Sequence, residues 1–400
     1  MTMETKEEVN LTETTEAKAE GEHHHHHHHH KHRYYHKGIK KMRTVLLVFA
    51  MLYTFGLHPA VRDIGYIVLG FAVPAFFIIS GYLVLRESEN IEKRILRAIK
   101  RTAICFVILA AVYFALSIAV EPKATIAAVT TKIFWFDFLA LNIWSLPIGS
   151  TIWYVQAMLY AYIIIYIIYK LKLLKFDVYI AAICLAVTFI CGDLSSFIGF
   201  NLFGHTYLGG NFLTRALPYI LIGSFMHRRK DFYSDLKTKH YLLIGFVGLA
   251  LSVVEFFALS FSKKQIYTGH MLGTTLTAIS VCMFIFMIEG MKLRSDYFKT
   301  LSRFEMMIPY FVCSPVYYFL MADFQAESGE LAYFIGSIAS IIVVAASYLI
   351  LYLYAFIRKS IKESKEADKD DGYYDDDDKE YKKEYKEYKS KSATAGSDEK

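Results

Sequence analysis

Several common frameworks are missing from this 400-residue chain. Its five cysteines, Cys105, Cys184, Cys191, Cys282 and Cys313, each fall inside an apolar stretch, with neither a pairing pattern nor metal-ligand spacing. That excludes a disulfide scaffold and makes them small core side chains. No stretch of about ten residues alternates apolar with polar, as a transmembrane β-barrel strand would. No small-residue cleavage site follows the first apolar run, which a long polar segment precedes, so that run is expected to act as an uncleaved anchor. The formal net charge is +6, but the basic residues cluster beside apolar runs rather than in a separate patch. There they set topology and meet anionic headgroups, so no nucleic-acid partner is expected and membrane lipid is.

What is present is oil. Hydrophobic residues make up 55% of the chain and aromatic residues 16%, more than a water-soluble fold of this length can hide. Ten apolar runs long enough to cross a bilayer lie at about 43–58, 65–85, 103–120, 153–170, 177–193, 213–227, 241–261, 270–290, 307–322 and 331–357. Backbone groups in hydrocarbon must bond within their own segment, so each run is expected to be helical. Lysines and arginines crowd alternate connections, as in "EKRILRAIKR" (92–101), which reads as an amphipathic extension of the third span. The other connections hold few, among them Lys123, Lys132, Lys263 and Lys264. The positive-inside rule then puts both termini in the cytoplasm, which an even number of spans requires. The expected architecture is an all-α polytopic membrane helix bundle with about ten transmembrane helices, multi-pass in the cell membrane.

Flanking this 42–360 membrane domain are two polar tails, 1–41 and 361–400, too poor in apolar residues to offset the entropy of ordering. The first contains "HHHHHHHH" (23–30), a tract able to bind Ni²⁺ or Zn²⁺ that could be natural or a tag. No physiological metal site is assigned to it. The second contains "DDDDK" (375–379) among Lys/Glu/Tyr repeats.

Polar groups inside spans are costly and mark helix contacts or sites. In "VPAFFIISGYLVL" (73–85), Pro74 is expected to bend the second span, and Ser80-Gly81 to let a neighbour approach closely. Toward the expected outer side stand His58, Arg62 and Asp63, then Trp153, Tyr154 and Gln156, then Asp193, Thr214, Arg215, Glu255 and His270. Arg215 is the sharpest of these, because the positive-inside rule disfavours arginine there and a guanidinium seeks a carboxylate, phosphate or carbonyl-rich partner. Glu255 and Asp193 are its candidate partners. Trp153 and Tyr154 suit either the interfacial belt or stacking on a sugar ring.

"VPAFFIISGYLV" (73–84), "IWYVQAMLYAYIIIY" (152–166), "TRALPYILIGSFMHRR" (214–229) and "LSRFEMMIPYFVCSPV" (301–316), in that order, resemble the acyltransferase-3 family of integral membrane O-acyltransferases. They are also similar to the membrane domain of vancomycin-resistance serine racemases. The resemblance covers roughly 38–358. It implies transfer of an acyl group, often acetyl, from a cytoplasmic acyl-CoA (acetyl-CoA) donor to a hydroxyl on a carbohydrate or lipid-linked glycan of the bacterial cell envelope, such as a surface polysaccharide undergoing O-acetylation. No metal is implied. Arg43, Ser80, Trp153, Tyr154 and Arg215 match the pattern as substrate-binding residues, and Glu255 and Cys313 join them as candidates.

The family's catalytic histidine, eleven positions after the basic residue, falls here at Thr54, beside Tyr53. The late-span histidine before proline is replaced by Cys313-Ser314 before Pro315. His58 lies one turn past Thr54, about 6 Å along the helix axis and on nearly the same face. It is therefore the candidate base, with Tyr53 and Thr54 as the other candidate catalytic groups. Alternatives are a catalytically degenerate relative that binds a glycan or its lipid carrier, and a transporter of a lipid-linked sugar or small solute. If the charge bias is read correctly, reporter fusions at the two chain ends should both report the cytoplasm; ends on opposite faces would overturn the topology.

Overall fold

The computed structural model describes residues 39, 42–43, 45–54, 65, 67–85, 90–190, 211–229, 236–260, 272–288, 307–326, 335, 338–339, 341–358 and 360–361. Among the described residues all regular structure is helical and none is strand. Helix α1 is Val45–Thr54. Helix α2 is Ala72–Val84, the longer part of an apolar span that begins at Ile67. Then come α3 (Ile91–Val120), α4 (Pro122–Val129), α5 (Lys132–Leu141) and α6 (Ile152–Lys170). They are followed by α7 (Asp177–Thr188), α8 (Phe212–Arg215), α9 (Leu217–Arg228), α10 (Thr238–Ser260), α11 (Leu272–Ile288) and α12 (Ile308–Ala326). Helix α13 is Ile341–Arg358.

Each of the ten expected intervals contains a helix. Five stretches have the length and apolarity to cross a bilayer: Ile67–Val84, α3, α6, Thr238–Ala258 and α13. Helix α3 starts twelve residues before the apolar run expected at 103, because "EKRILRAIKR" continues it without a break. At 1.5 Å per residue its 30 residues reach about 45 Å, well beyond a 30 Å hydrocarbon core, so the basic turns extend past the span. Pro74 acts as expected of a proline four residues past a carbonyl: the helix is interrupted by a turn at Gly70–Phe71, where the ring would clash with the Gly70 carbonyl.

The centre of the bundle is a crossing of α2 and α9 in which two backbones nearly touch. A Cβ on Gly81 would sit 2.0 Å from the Ile220 carbonyl oxygen, and one on Gly223 would sit 2.0 Å from that of Ile78. The two glycines serve the crossing reciprocally. In lipid, where burying apolar surface against a neighbour gains little over facing acyl chains, such close approach is the main source of helix adhesion. Around it, α11 joins α2 through the Tyr82–Phe286 stack, with centroids 3.8 Å apart, and joins α9 through Tyr219 and Thr275 hydroxyls 2.9 Å apart. Helices α10 and α11 repeat the device: a Cβ on Gly273 would meet the Ser252 amide nitrogen at 2.2 Å, and one on Gly248 the Thr277 nitrogen at 2.7 Å. Helix α7 is fixed to α9 by Asp177, 1% exposed, whose carboxylate pairs with Arg228 and accepts from the Val178 amide.

Helices α3 and α6 lie antiparallel along their lengths. At one end the Glu92 carboxylate pairs with Lys170 at 2.6 Å and accepts from the Tyr166 hydroxyl at 3.2 Å. At the other end the Tyr113 hydroxyl meets Thr151 at 2.8 Å, and Ser117 Oγ bonds both the carbonyl and the amide of Ile148. Gly149, at φ 108°, occupies the left-handed region where a side chain would strain the backbone and strike the Tyr113 ring. The segment between, α4 and α5 bent by 77°, thus leaves α3 and returns to α6 at the same end of the bundle. It is re-entrant and adds no crossing. Its inner residues Phe134 and Phe138 pack with Leu146, Phe106 and Trp144, while Ile133, Trp135, Phe136 and Leu139 are exposed.

Gly81→Ala or Gly223→Ala should each cost about 1–3 kcal/mol of stability by overpacking, read as a lowered melting midpoint in detergent. Gly245→Ala, whose Cβ would meet the Ser280 side chain at 2.9 Å rather than a backbone, should cost less. Asp177→Ala should cost about 3 kcal/mol by leaving Arg228 without its buried partner. In a cysteine-free background, Glu121→Cys and Ser150→Cys should label with an impermeant maleimide from the same face; labelling from opposite faces would refute re-entry.

Candidate functional site

Five helices converge beside the α2–α9 crossing. Two sequential aromatic residues open α6, and because successive helical side chains point about 100° apart, one helix start serves two directions. The rings of Trp153 and Tyr154 are 6.0 Å apart at 88°. Phe77 of α2 reaches both, with its centroid 4.7 Å from Tyr154 and 6.4 Å from Trp153. Tyr310 of α12 lies 6.5 Å from Tyr154 on the far side.

Two arginines flank this aromatic cluster. Arg43, two residues before the start of α1 and only 4% exposed, stands 5.9 Å from the Phe76 centroid and within electrostatic reach of the Tyr154 hydroxyl. Arg215 stands with Cζ 5.2 Å from the Trp153 centroid, a cation–π distance, and within electrostatic reach of Tyr310. Its position follows from local sequence. Asn211 caps the short α8 by accepting from the Leu213 amide at 2.9 Å, and Pro218 then disfavours continuation past Thr214, so α8 and α9 break at Ala216 and Arg215 sits at the joint.

Helix α1 brings the catalytic candidates to the same place. Tyr53 and Thr54 both lie within electrostatic reach of Tyr310. Thr54 Oγ1 also donates to the Ala50 carbonyl at 2.8 Å. Ser80 of α2 is buried next to Tyr154, whose hydroxyl is itself buried without a hydrogen bond of good geometry. A buried polar atom of that kind is a natural point for a ligand to complete. The re-entrant pair roofs the cluster. Asn142, in the left-handed conformation that ends α5, donates to the Trp153 carbonyl at 3.1 Å. Gln156, fully buried, donates to the Phe138 carbonyl and to Tyr160, and Tyr160 donates to the Leu139 carbonyl at 2.7 Å.

Arg43, Tyr53, Thr54, Ser80, Trp153, Tyr154 and Arg215 are therefore brought together. Glu255 and Cys313 have contacts of their own. The Glu255 carboxylate accepts from the amides of Leu272 and Gly273 at 3.2 and 3.1 Å, satisfying open donors at the start of α11. Cys313 is buried with Sγ 3.6 Å from Ser347 Oγ of α13. His58, Arg62, Asp63, Asp193 and His270 lie outside the described residues. Tyr310 lies within the 301–316 stretch that carries part of the resemblance, although no site role was expected of it.

The arrangement offers two fixed cations and several hydroxyl groups within an apolar, aromatic wall. Such a setting suits a carbonyl oxygen that gains negative charge, because the donors are pre-positioned and screening by water is weak. A family model described as an acyltransferase domain matches residues 28–352, an interval that holds α1 to α12 and most of α13. No curated protein and no solved structure matches the chain.

Proposed function

The chain belongs to the acyltransferase-3 family, and on that premise we propose that this membrane acyltransferase moves an acyl group, acetyl first among them, from acyl-CoA to a hydroxyl of a cell-surface or exported carbohydrate. The observation that carries the proposal is the meeting of Arg43 and Thr54 from the α1 segment, Trp153 and Tyr154 from α6 and Arg215 from α8 at one aromatic cluster. Arg43 lies at the beginning of α1 and Arg215 at the joint of α8 and α9, on different sides of the Tyr154–Tyr310 pair. In this scheme Arg43 faces the donor from the cytoplasmic side, while Arg215 and Trp153 receive the acceptor from the other. Ser80 lines the contact between them.

The acceptor hydroxyl attacks the thioester carbonyl, and the nearby guanidinium stabilises the resulting oxyanion. His58, four positions after Thr54 in the sequence, serves as the base that takes the hydroxyl proton, since imidazole titrates near neutral pH. One observation favours the second reading, a non-catalytic glycan or lipid-carrier binding module: Thr54 stands where the family pattern has its histidine, and its hydroxyl proton is already given to the Ala50 carbonyl.

The test is release of free CoA thiol, with acylation of the acceptor, by purified protein in lipid nanodiscs. Wild-type protein should turn over. Arg215→Ala should lower kcat by about 10²-fold, in the range for loss of one oxyanion donor, and His58→Ala should abolish transfer. Binding of acceptor without any thiol release would favour the binding module.

A further inference from the structure

The re-entrant pair has an outward face as well as the one that roofs the aromatic cluster. On it Ile126 of α4 and Ile133, Trp135, Phe136 and Leu139 of α5 are between 48% and 72% exposed. Two features identify the medium this face meets. The first is how the hairpin satisfies its polar groups. The bend opens the last four carbonyls of α4, and all four are bonded inside the hairpin. Ile126 accepts from the Thr130 amide at 3.1 Å, Ala127 from the Thr130 hydroxyl at 2.8 Å, Ala128 from the Thr131 hydroxyl at 2.7 Å and Val129 from the Trp135 indole at 2.9 Å. Where α5 ends, the Asp137 carbonyl accepts from the Ile143 amide, that of Phe138 from Gln156 and that of Leu139 from Tyr160. Thr130, Thr131 and Trp135 are exposed, so in water their donors could be left to solvent. In hydrocarbon they must close on the chain itself, as they do.

The second feature is depth. The Phe138 ring stacks on Phe106 of α3 with centroids 5.7 Å apart. Helix α3 leaves its apolar stretch at Val120, where Glu121 and Lys123 follow. Phe106 lies fourteen residues before Val120, about 21 Å along the axis, so the end of α5 reaches past the middle of a roughly 30 Å core. Around Phe106, α3 exposes Ile104, Val107, Ile108 and Val112 as one stripe, and only 11% of its apolar stretch is buried. The exposed faces of α3 and α5 therefore adjoin. The charges of α5 fit this placement. Asp137 falls on the inward face, three residues after Phe134 and one before Phe138, and Lys132 at the bend has a stem long enough to carry its ammonium towards headgroups.

We propose that the outward face of α4–α5 is a lipid-contact surface. Acyl chains of the bilayer pack against Ile126, Ile133, Trp135, Phe136 and Leu139, and the pair is immersed in hydrocarbon rather than standing in water as a lid. The surface is independent of acyl transfer and would serve a binding module equally.

The chain has three tryptophans, so the full-length protein with Trp144→Phe and Trp153→Phe keeps Trp135 as its only indole. It is reconstituted in phosphatidylcholine vesicles with or without bromine at mid-chain. Trp135 should emit at a blue-shifted wavelength, lose most of its emission to the brominated chains and keep it when acrylamide is added to the water. If the double variant fails to fold, the difference between wild-type and Trp135→Phe in the same vesicles gives the same reading. A red-shifted emission that acrylamide quenches overturns the proposal and makes the pair a lid in water. Emission that neither quencher reaches also overturns it, because protein then covers the face.

Discussion

The near-contact of two backbones where α2 crosses α9 is the constraint on which the remaining structure rests. Hydrocarbon gives helices no hydrophobic reason to associate, so adhesion must come from close packing. Gly81 and Gly223 each admit the other helix's carbonyl to a distance no Cβ would tolerate. The crossing fixes the rotation of α2, and with it the directions of Phe76, Phe77 and Ser80, which carry one wall of the site. It also holds α9 at the depth where its preceding joint presents Arg215 to Trp153.

From that fixed point the site grows by short-range chemistry. Trp153 and Tyr154 place two rings from one helix start. Asn142 and Gln156 tie the same helix to the re-entrant pair through main-chain carbonyls, so the roof and the wall are one unit. Tyr113 extends the unit further by donating to the Phe311 carbonyl at 2.9 Å, next to Tyr310. The polar groups are thus held by helices rather than by loops, the arrangement that precise positioning of a reacting group requires.

Much of this was legible in the sequence, for physical reasons that can be named. Continuous apolar runs announce helices because no other element satisfies its backbone in lipid, and a helix is found in each of the ten intervals expected from them. Ser80-Gly81 announced close approach because few other residues permit it. Arg215 announced itself by standing where an arginine is costly. Side-chain partnership was far less legible. Glu255 was one of two candidate partners for Arg215, and charge alone does not show that open amides at the start of α11 would be bonded to its carboxylate as well. Tyr310 sits inside the 301–316 motif, but nothing in that stretch tells which residues its ring will face. The bent pair α4–α5 was read as a connection, because each half is too short to score as a span and the 77° bend appears only in three dimensions.

That bent pair has a consequence for how such a protein can change over generations. Because residues 121–151 begin and finish on one face, inserting, deleting or exchanging turns there leaves every later helix the same way up. The cover over the aromatic cluster can therefore drift in a stretch that never risks inverting the molecule, while the glycine-tight centre is bound to stay as it is.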